Sequence, residues 1–235
     1  MPYKNSFEQG PTWRQVVCIR KRPAAPLGRS TQTLGKLTDM INLRFVITGG
    51  PGAGKTTILN ALAARGFQCV PDSARALIKR RKAAGLSPRP SPAQFGTEML
   101  QEDIAQYQRT PVHHDPVFFD RGVGDALGFL YLHGTLSLAE VATSIKAWPY
   151  NEIVFLLPPW PEIYIQDAER DQSFAEAVAV YEVVREWYGR WRYRLVEIPR
   201  GRVEDRADFV LHTVEGRTGS KRQVTQKRRT NGDRQ

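Results

Sequence analysis

Cysteine is nearly missing from this chain of 235 residues: there are two, Cys18 and Cys69. A lone, distant pair offers neither a disulfide framework nor metal-ligand spacing, and it fits a reducing cytoplasm. Histidine is scarce as well, and two of the four, His113 and His114, are neighbours, which is poor geometry for gripping one metal ion. Long apolar runs are missing too. None approaches the ~20 residues a membrane helix needs, and the clearest, "IVFLLPPW", is cut by Pro158 and Pro159. The N-terminus lacks the apolar core of a secretory signal, although "RQVVCIRKR", basic and free of acids, leaves organelle targeting open. There is no internal repeat and no Ser/His/Asp or Cys/His nucleophile pattern. The Asn-Lys-x-Asp motif that reads guanine is also lacking, which favours ATP over GTP.

What the chain does have is enough apolar material for a core, 41% hydrophobic residues with five tryptophans, and this excludes global disorder. A formal charge of +10 invites a nucleic-acid reading, but its distribution argues otherwise. Residues 1–42 carry seven Lys/Arg against two acids, and residues 216–235 seven against one, leaving 43–215 close to neutral. The basicity therefore sits in two extensions read as disordered, 1–42 and 216–235, around one folded domain, 43–215. Such ends are either solvated tails or make weak, non-specific contacts with anionic partners; no specific nucleic-acid reader is implied.

Within 43–215, short apolar runs alternate with helical patterns. "LRFVIT" (43–48), "FQCVPD" (67–72), "PVFFD" (116–120), "EIVFLLPP" (152–159) and "YRLVEIP" (193–199) read as strands. Between them lie "KTTILNALAA", "SARALIKRRKAAG", "AQFGTEMLQEDIAQYQRT", two helices after 122, a charged helical region 161–190, and a closing "RVEDRADFVLHTV". Such alternation means a parallel sheet covered by helices on both faces. In such sheets ligands sit beyond the carboxyl ends of the strands. That rule gathers Gly49–Thr56, Asp72 and Asp120 around one crevice.

The motif Gly49-x-x-x-x-Gly54-Lys55-Thr56 follows a strand and opens a helix. Backbone N–H groups of Gly49, Gly50, Pro51 (which has none of its own), Gly52, Ala53, Gly54, Lys55, Thr56 and Thr57 form the loop that wraps phosphate oxygens at a helix N-terminus. Lys55 would reach the β- and γ-phosphates, and the Thr56 hydroxyl would ligate Mg²⁺. Asp120, ending the third strand in "VFFDRG", stands where a Walker-B carboxylate holds the magnesium shell, or else is a strand-end Asp opening a turn. Arg121 either contacts a phosphate or neutralises Asp120. Asp72 either faces an acceptor hydroxyl or N-caps the basic helix that carries Arg75, a residue read as substrate-binding. Asp125 either hydrogen-bonds the acceptor or serves as a carboxylate at a helix N-terminus.

"PPWPEIYIQDAERDQSF" (158–174) crowds Gln166, Asp167, Glu169, Arg170 and Asp171 into a segment with little to bury. It is either a solvated face with an Asp167–Arg170 pair, or a lid that excludes water and brings Arg170 to the charge developing in phosphoryl transfer. Together "FVITGGPGAGKTTILNALAARGFQCVPDSARALI", "VFFDRGVGDALGFL", "VFLLPPWPEIYIQDAERDQSFAEAV" and "YRLVEIPRGRVEDRADFVL" resemble the NadR-like AAA-family ATPases, a P-loop group named after a ribosylnicotinamide kinase domain. The resemblance runs from about residue 43 to 212. It implies a three-layer P-loop NTPase fold, a five-stranded parallel sheet of order 2-3-1-4-5 with a short helical lid, and ATP·Mg²⁺ at Gly49–Thr56. It puts Asp120 and Arg121 in the family's "DR" place and Asp72 in its acidic place after strand two. The expected catalytic set is therefore Lys55, Asp72, Asp120, Arg121 and Arg170, with Thr56 and Asp120 on the metal and Asp125 and Arg75 on an acceptor. The expected activity is ATP-dependent phosphotransfer to a small hydroxylated, nucleoside-like metabolite; the alternative is a switch ATPase acting on a protein or membrane partner.

Overall fold

Five short apolar segments pair side by side in the computed structural model, which describes residues 42–111, 114–164 and 173–218. They are β1 (Arg44–Gly49), β2 (Gln68–Val70), β3 (Val117–Asp120), β4 (Ile153–Leu157) and β5 (Arg194–Glu197), all parallel, in the order β2-β3-β1-β4-β5. This is the order the resemblance implied. Strand ends fall within two residues of the ends of the apolar runs, and β4 stops at Leu157 because Pro158 and Pro159 have no N–H to give the ladder.

Among the described residues seven α-helices cover the sheet: α1 (Lys55–Ala64), α2 (Ser73–Ala83), α3 (Pro92–Arg109), α4 (Val123–Leu132), α5 (Leu138–Ala147), α6 (Phe174–Arg190) and α7 (Val203–Thr218). Local chemistry starts them where they start. Ser91 caps α3 with Pro92 as its first residue, and Ser137 and Ser173 form capping boxes with Glu140 and Glu176. The closing helix runs to Thr218, three residues past the expected end of the domain, and the basic extensions otherwise lie outside the described residues. Of the region read as helical from 161, Pro161–Ile163 forms one 3₁₀ turn and α6 begins at Phe174. Residues 165–172, the heart of the lid reading and the site of Arg170, lie outside the described residues.

Alternation along the strands splits the interior into two cores. Phe45, Ile47, Phe118, Ile153, Phe155 and Leu157 point to the face covered by α1 and α7. Val46, Val117, Phe119 and Val154 point to the face covered by α2 through α6. Burial on both sides is why these strands read as unbroken apolar runs. Phe118 is fully buried, its ring centroid 5.9 Å from Phe45 and 5.8 Å from Phe67. Among the described residues no helix is long and apolar enough to cross a membrane. Replacing Phe118 by Ala should cost roughly 3–5 kcal/mol of folding stability; urea unfolding of the variant checks this, and a loss under ~1 kcal/mol would contradict the packing described.

Candidate functional site

The carboxyl ends of β1, β3 and β4 converge on the loop 49–54. Close backbone approach there admits only glycine at its first position. A Cβ on Gly49 (φ 137°) would lie 2.6 Å from the Leu157 carbonyl oxygen. At the last position, Gly54 (φ 86°) turns the chain into α1 through the left-handed region. Lys55, the first residue of α1, folds back over this loop, its ammonium donating to the carbonyls of Gly49 (3.1 Å) and Gly50 (2.8 Å). Burial, helped by the Arg121 charge, brings the Lys55 pKa down to about 8, with Asp120, Asp72 and Asp125 partly offsetting it. Thr56 and Thr57 stay exposed at the helix mouth.

Asp120 ends β3 directly opposite. Its Oδ2 accepts from Thr56 Oγ1 at 3.4 Å, while its Oδ1 is buried with no hydrogen-bond partner. Burial pushes its pKa up, against the pull of Lys55. A hydroxyl beside a carboxylate with an unused oxygen is a fitting donor pair for Mg²⁺, which keeps waters and takes its remaining ligands from phosphate. Among the described residues no cluster of three or more His, Cys, Asp or Glu could hold a metal alone.

Asp72 holds both of the roles left open for it within reach. One oxygen caps α2 by accepting from Ala74 N (2.9 Å), and the other accepts from Arg121 Nη1 (3.2 Å). Arg121 thus pairs with Asp72, not with the neighbouring Asp120. Although burial disfavours its charge, Asp72, Asp125 and Asp120 together hold its pKa above the usual arginine value. It sits at φ 66°, the left-handed region a side chain rarely adopts. Asp125 is bound up with the frame: Oδ1 accepts from Thr48 Oγ1 (2.6 Å), and Oδ2 from Gly122 N (3.0 Å) and Tyr188 OH (2.7 Å). Its hydrogen bonds support the helix-terminus reading. Arg75 lines the same cavity.

That cavity, about 1030 Å³, is lined by the P-loop, by Asp72 and Arg121, and by the apolar side chains of Phe95, Met99 and Phe129. Two of its residues escaped the sequence reading. Arg206, in the first turn of α7, is buried, donates to Ala53 O (3.3 Å) and lies 5.2 Å from the Trp160 ring centroid. In the sequence it is one charged residue on an amphipathic helix, with nothing to mark it. Asp103, on α3, is also buried, hydrogen-bonded to Ser73. Burial is the main reason its carboxyl pKa is raised to about 8, with Asp125 and Asp72 adding to the effect. Its signal was available: Phe95, Met99 and Asp103 share one helical stripe, so a carboxylate falls on a buried face.

A parallel sheet of this order, a phosphate loop between β1 and α1, and an aspartate ending β3 define a P-loop NTPase fold. The chain belongs to the AAA domain family, whose model matches residues 44–206, in keeping with the NadR-like resemblance. No curated protein matches its sequence. Among solved structures it is similar to NadR protein in complex with NR (TM-score 0.57, 18% identity, covering 79% of this chain and 54% of that one). It is similar as well to the thymidylate kinase of Candida albicans (TM-score 0.55, 10% identity, 76% and 93% covered). The deoxyadenosine kinase of M. mycoides, with products dCMP and a flexible dCDP bound, is a third (TM-score 0.51, 15% identity, 74% and 98% covered). At such identities the likeness is one of fold. The chain spans about half the length of the NadR chain.

Two expected outcomes follow from this geometry. Asp125→Ala leaves Thr48, Gly122 and Tyr188 without their acceptor and should lose at least about 3 kcal/mol of stability, each unsatisfied group costing about 1–3; chemical denaturation reads it, and an unchanged midpoint would refute the role. Asp103 binds its proton more tightly folded than unfolded, so its burial is free of charge cost below pH 3.8 and stability is lost as pH rises toward about 8. Asp103→Asn, which never ionises, should therefore melt progressively higher than wild type between pH 5 and pH 8, by roughly 3 °C for each kcal/mol recovered. A pH-independent difference in melting temperature would contradict the buried acid.

Proposed function

We propose that the protein is an ATP-dependent phosphotransferase acting on a small hydroxylated, nucleoside-like metabolite. The observation that carries the proposal is the cavity: the phosphate loop lines it together with apolar Phe95, Met99 and Phe129, which leaves room for an acceptor beside a nucleotide. A site that served transfer to water alone would need no such apolar wall.

Thr56 and Asp120 would hold Mg²⁺ together with the nucleotide. When bound, the ion neutralises charge on the β- and γ-phosphates. The loop 49–54 and the N-terminus of α1 bind the phosphates through backbone N–H groups. Lys55 exchanges its two carbonyl partners for phosphate oxygens, which restore the full charge that burial weakens. Asp72, held by Arg121 and its own helix cap, orients the acceptor hydroxyl. In the transfer, the hydroxyl oxygen bonds the γ-phosphorus as the bond to the β,γ-bridging oxygen breaks. ADP leaves, and the hydroxyl proton passes to the Asp72 carboxylate. Arg121 keeps Asp72 in place before that step, and Arg75 contributes positive charge at the cavity wall. Asp125 acts through the frame it ties together. Arg170, in the lid proposed from the sequence, would close over the phosphates and exclude water. The scarcity of cysteine supports a cytoplasmic setting, and the basic ends support no more than weak anionic contacts.

The test is to incubate the full chain with MgATP and pooled nucleosides and vitamin precursors, following ADP release and product mass. One pool component should raise ADP release and gain the mass of one phosphate, and Lys55→Ala should lower that turnover roughly 10²–10³-fold. Lys55-dependent hydrolysis that no component alters would sink the proposal and favour a switch ATPase.

A further inference from the structure

The proposed mechanism makes no use of Asp103, the one carboxyl on the otherwise apolar stripe that α3 turns toward the cavity. Buried polar groups cost stability unless they are put to use, and this one has no ion-pair partner among the described residues. It is 7% exposed, hydrogen-bonded to Ser73 at the start of α2, and lies in the cavity wall one and two helical turns beyond Met99 and Phe95. The charges that face it are Asp72 and Arg121 on one side and Asp125 on another, with the Tyr150 hydroxyl near by.

Asp103 lines the same cavity as the phosphate loop and Asp72, and Ser73, which it faces, directly follows Asp72 in the chain. A molecule whose hydroxyl meets the γ-phosphate beside Asp72 would reach Asp103 with its far end, next to the apolar surfaces of Phe95 and Met99.

We propose that Asp103 is a specificity-determining residue for the phosphoryl acceptor, exchanging hydrogen bonds with an uncharged polar group, a carbonyl, amide or hydroxyl, on the part of the acceptor remote from the transferred phosphoryl. The inference rests on the phosphotransferase reading and names the kind of molecule that site takes: a flat, largely apolar headgroup with an uncharged polar edge. A carboxyl group that keeps its proton near neutrality offers a donor and an acceptor side by side, and burial beside two other aspartates keeps it so. Above about pH 8 the donor is lost and a third negative charge joins Asp72 and Asp125. A headgroup that brought its own carboxylate or phosphate to this wall would meet that same repulsion.

The experiment measures kcat and KM for wild type, Asp103→Asn and Asp103→Ala with MgATP and a panel of adenosine, guanosine, inosine, cytidine and uridine, at pH 6.5 and pH 9, with melting temperatures showing each variant folded at both. Asn keeps a donor and an acceptor and cannot ionise. It should hold the nucleoside KM within about threefold of wild type at pH 6.5 and abolish the part of the KM rise at pH 9 that belongs to Asp103. Lys55 titrates in the same range, so the informative quantity is the difference between wild type and Asp103→Asn, not either slope alone. Asp103→Ala should raise the nucleoside KM about tenfold or more at pH 6.5, with kcat and the KM for ATP little changed. If nucleoside KM is the same for all three proteins, or if the variants lose kcat while KM holds, the assignment of Asp103 is wrong and the phosphotransferase reading stands. If wild type phosphorylates none of the five, the assignment of Asp103 to a nucleoside headgroup is wrong, while the phosphotransferase reading is decided by the wider pool that includes vitamin precursors.

Discussion

A single 2.6 Å hydrogen bond from Thr48 to Asp125 ties the end of the central strand to the start of α4. The same carboxylate takes the Gly122 amide and the Tyr188 hydroxyl, so β1, the β3–α4 turn and α6 meet at one side chain. The phosphate-binding end of the site hangs from those three elements. The phosphate loop leaves β1, Asp120 and Arg121 occupy the end of β3 and its turn, and α6 forms one wall of the cavity. An alternative anchor built from apolar packing would hold the layers together but would not fix their rotation, because such contacts are non-directional. Hydrogen bonds to a carboxylate are directional and short.

Around that anchor the charges are balanced within the site rather than across the molecule. Lys55 and Arg121 face Asp72, Asp103, Asp120 and Asp125 in a largely buried volume, and burial shifts Lys55 downward and Asp103 and Asp120 upward toward their neutral forms. Arg121 is the exception, its charge upheld by four carboxylates at once, Asp72 foremost. The surrounding domain is close to neutral, so little long-range field disturbs this arrangement. A polyanionic ligand would change the balance sharply, since it adds negative charge beside groups already poised between their charged and neutral states.

The fold was legible because its signals are local and repeated. Apolar runs bounded by Gly and Pro became β1, β3 and β4, and Gly49-x-x-x-x-Gly54-Lys55-Thr56 can bend in one way between a strand and a helix. Strand order was not legible from periodicity at all and came from the family resemblance. Within the site, side chains adjacent to a strand end were found, because the carboxyl-edge rule points to them. Asp103 and Arg206 were not, because each sits inside a helix far along the chain and reaches the cavity only through packing. Partner choice was the weakest part of the sequence reading. Arg121 follows Asp120 directly, yet it pairs with Asp72, 49 residues away, since successive residues on a turn need not face each other. The region from 161 read as continuously helical because charged residues at helical spacing resemble a solvated helix, whereas Pro161–Ile163 closes a single tight turn.

Lys55 is not idle before a ligand arrives: its ammonium already bridges the carbonyls of Gly49 and Gly50. The loop is thus held curled from within, by a clamp between a cation and the chain's own carbonyls. An anion that drew the ammonium away would require only a swap of partners, since most of the ordering entropy has already been spent during folding.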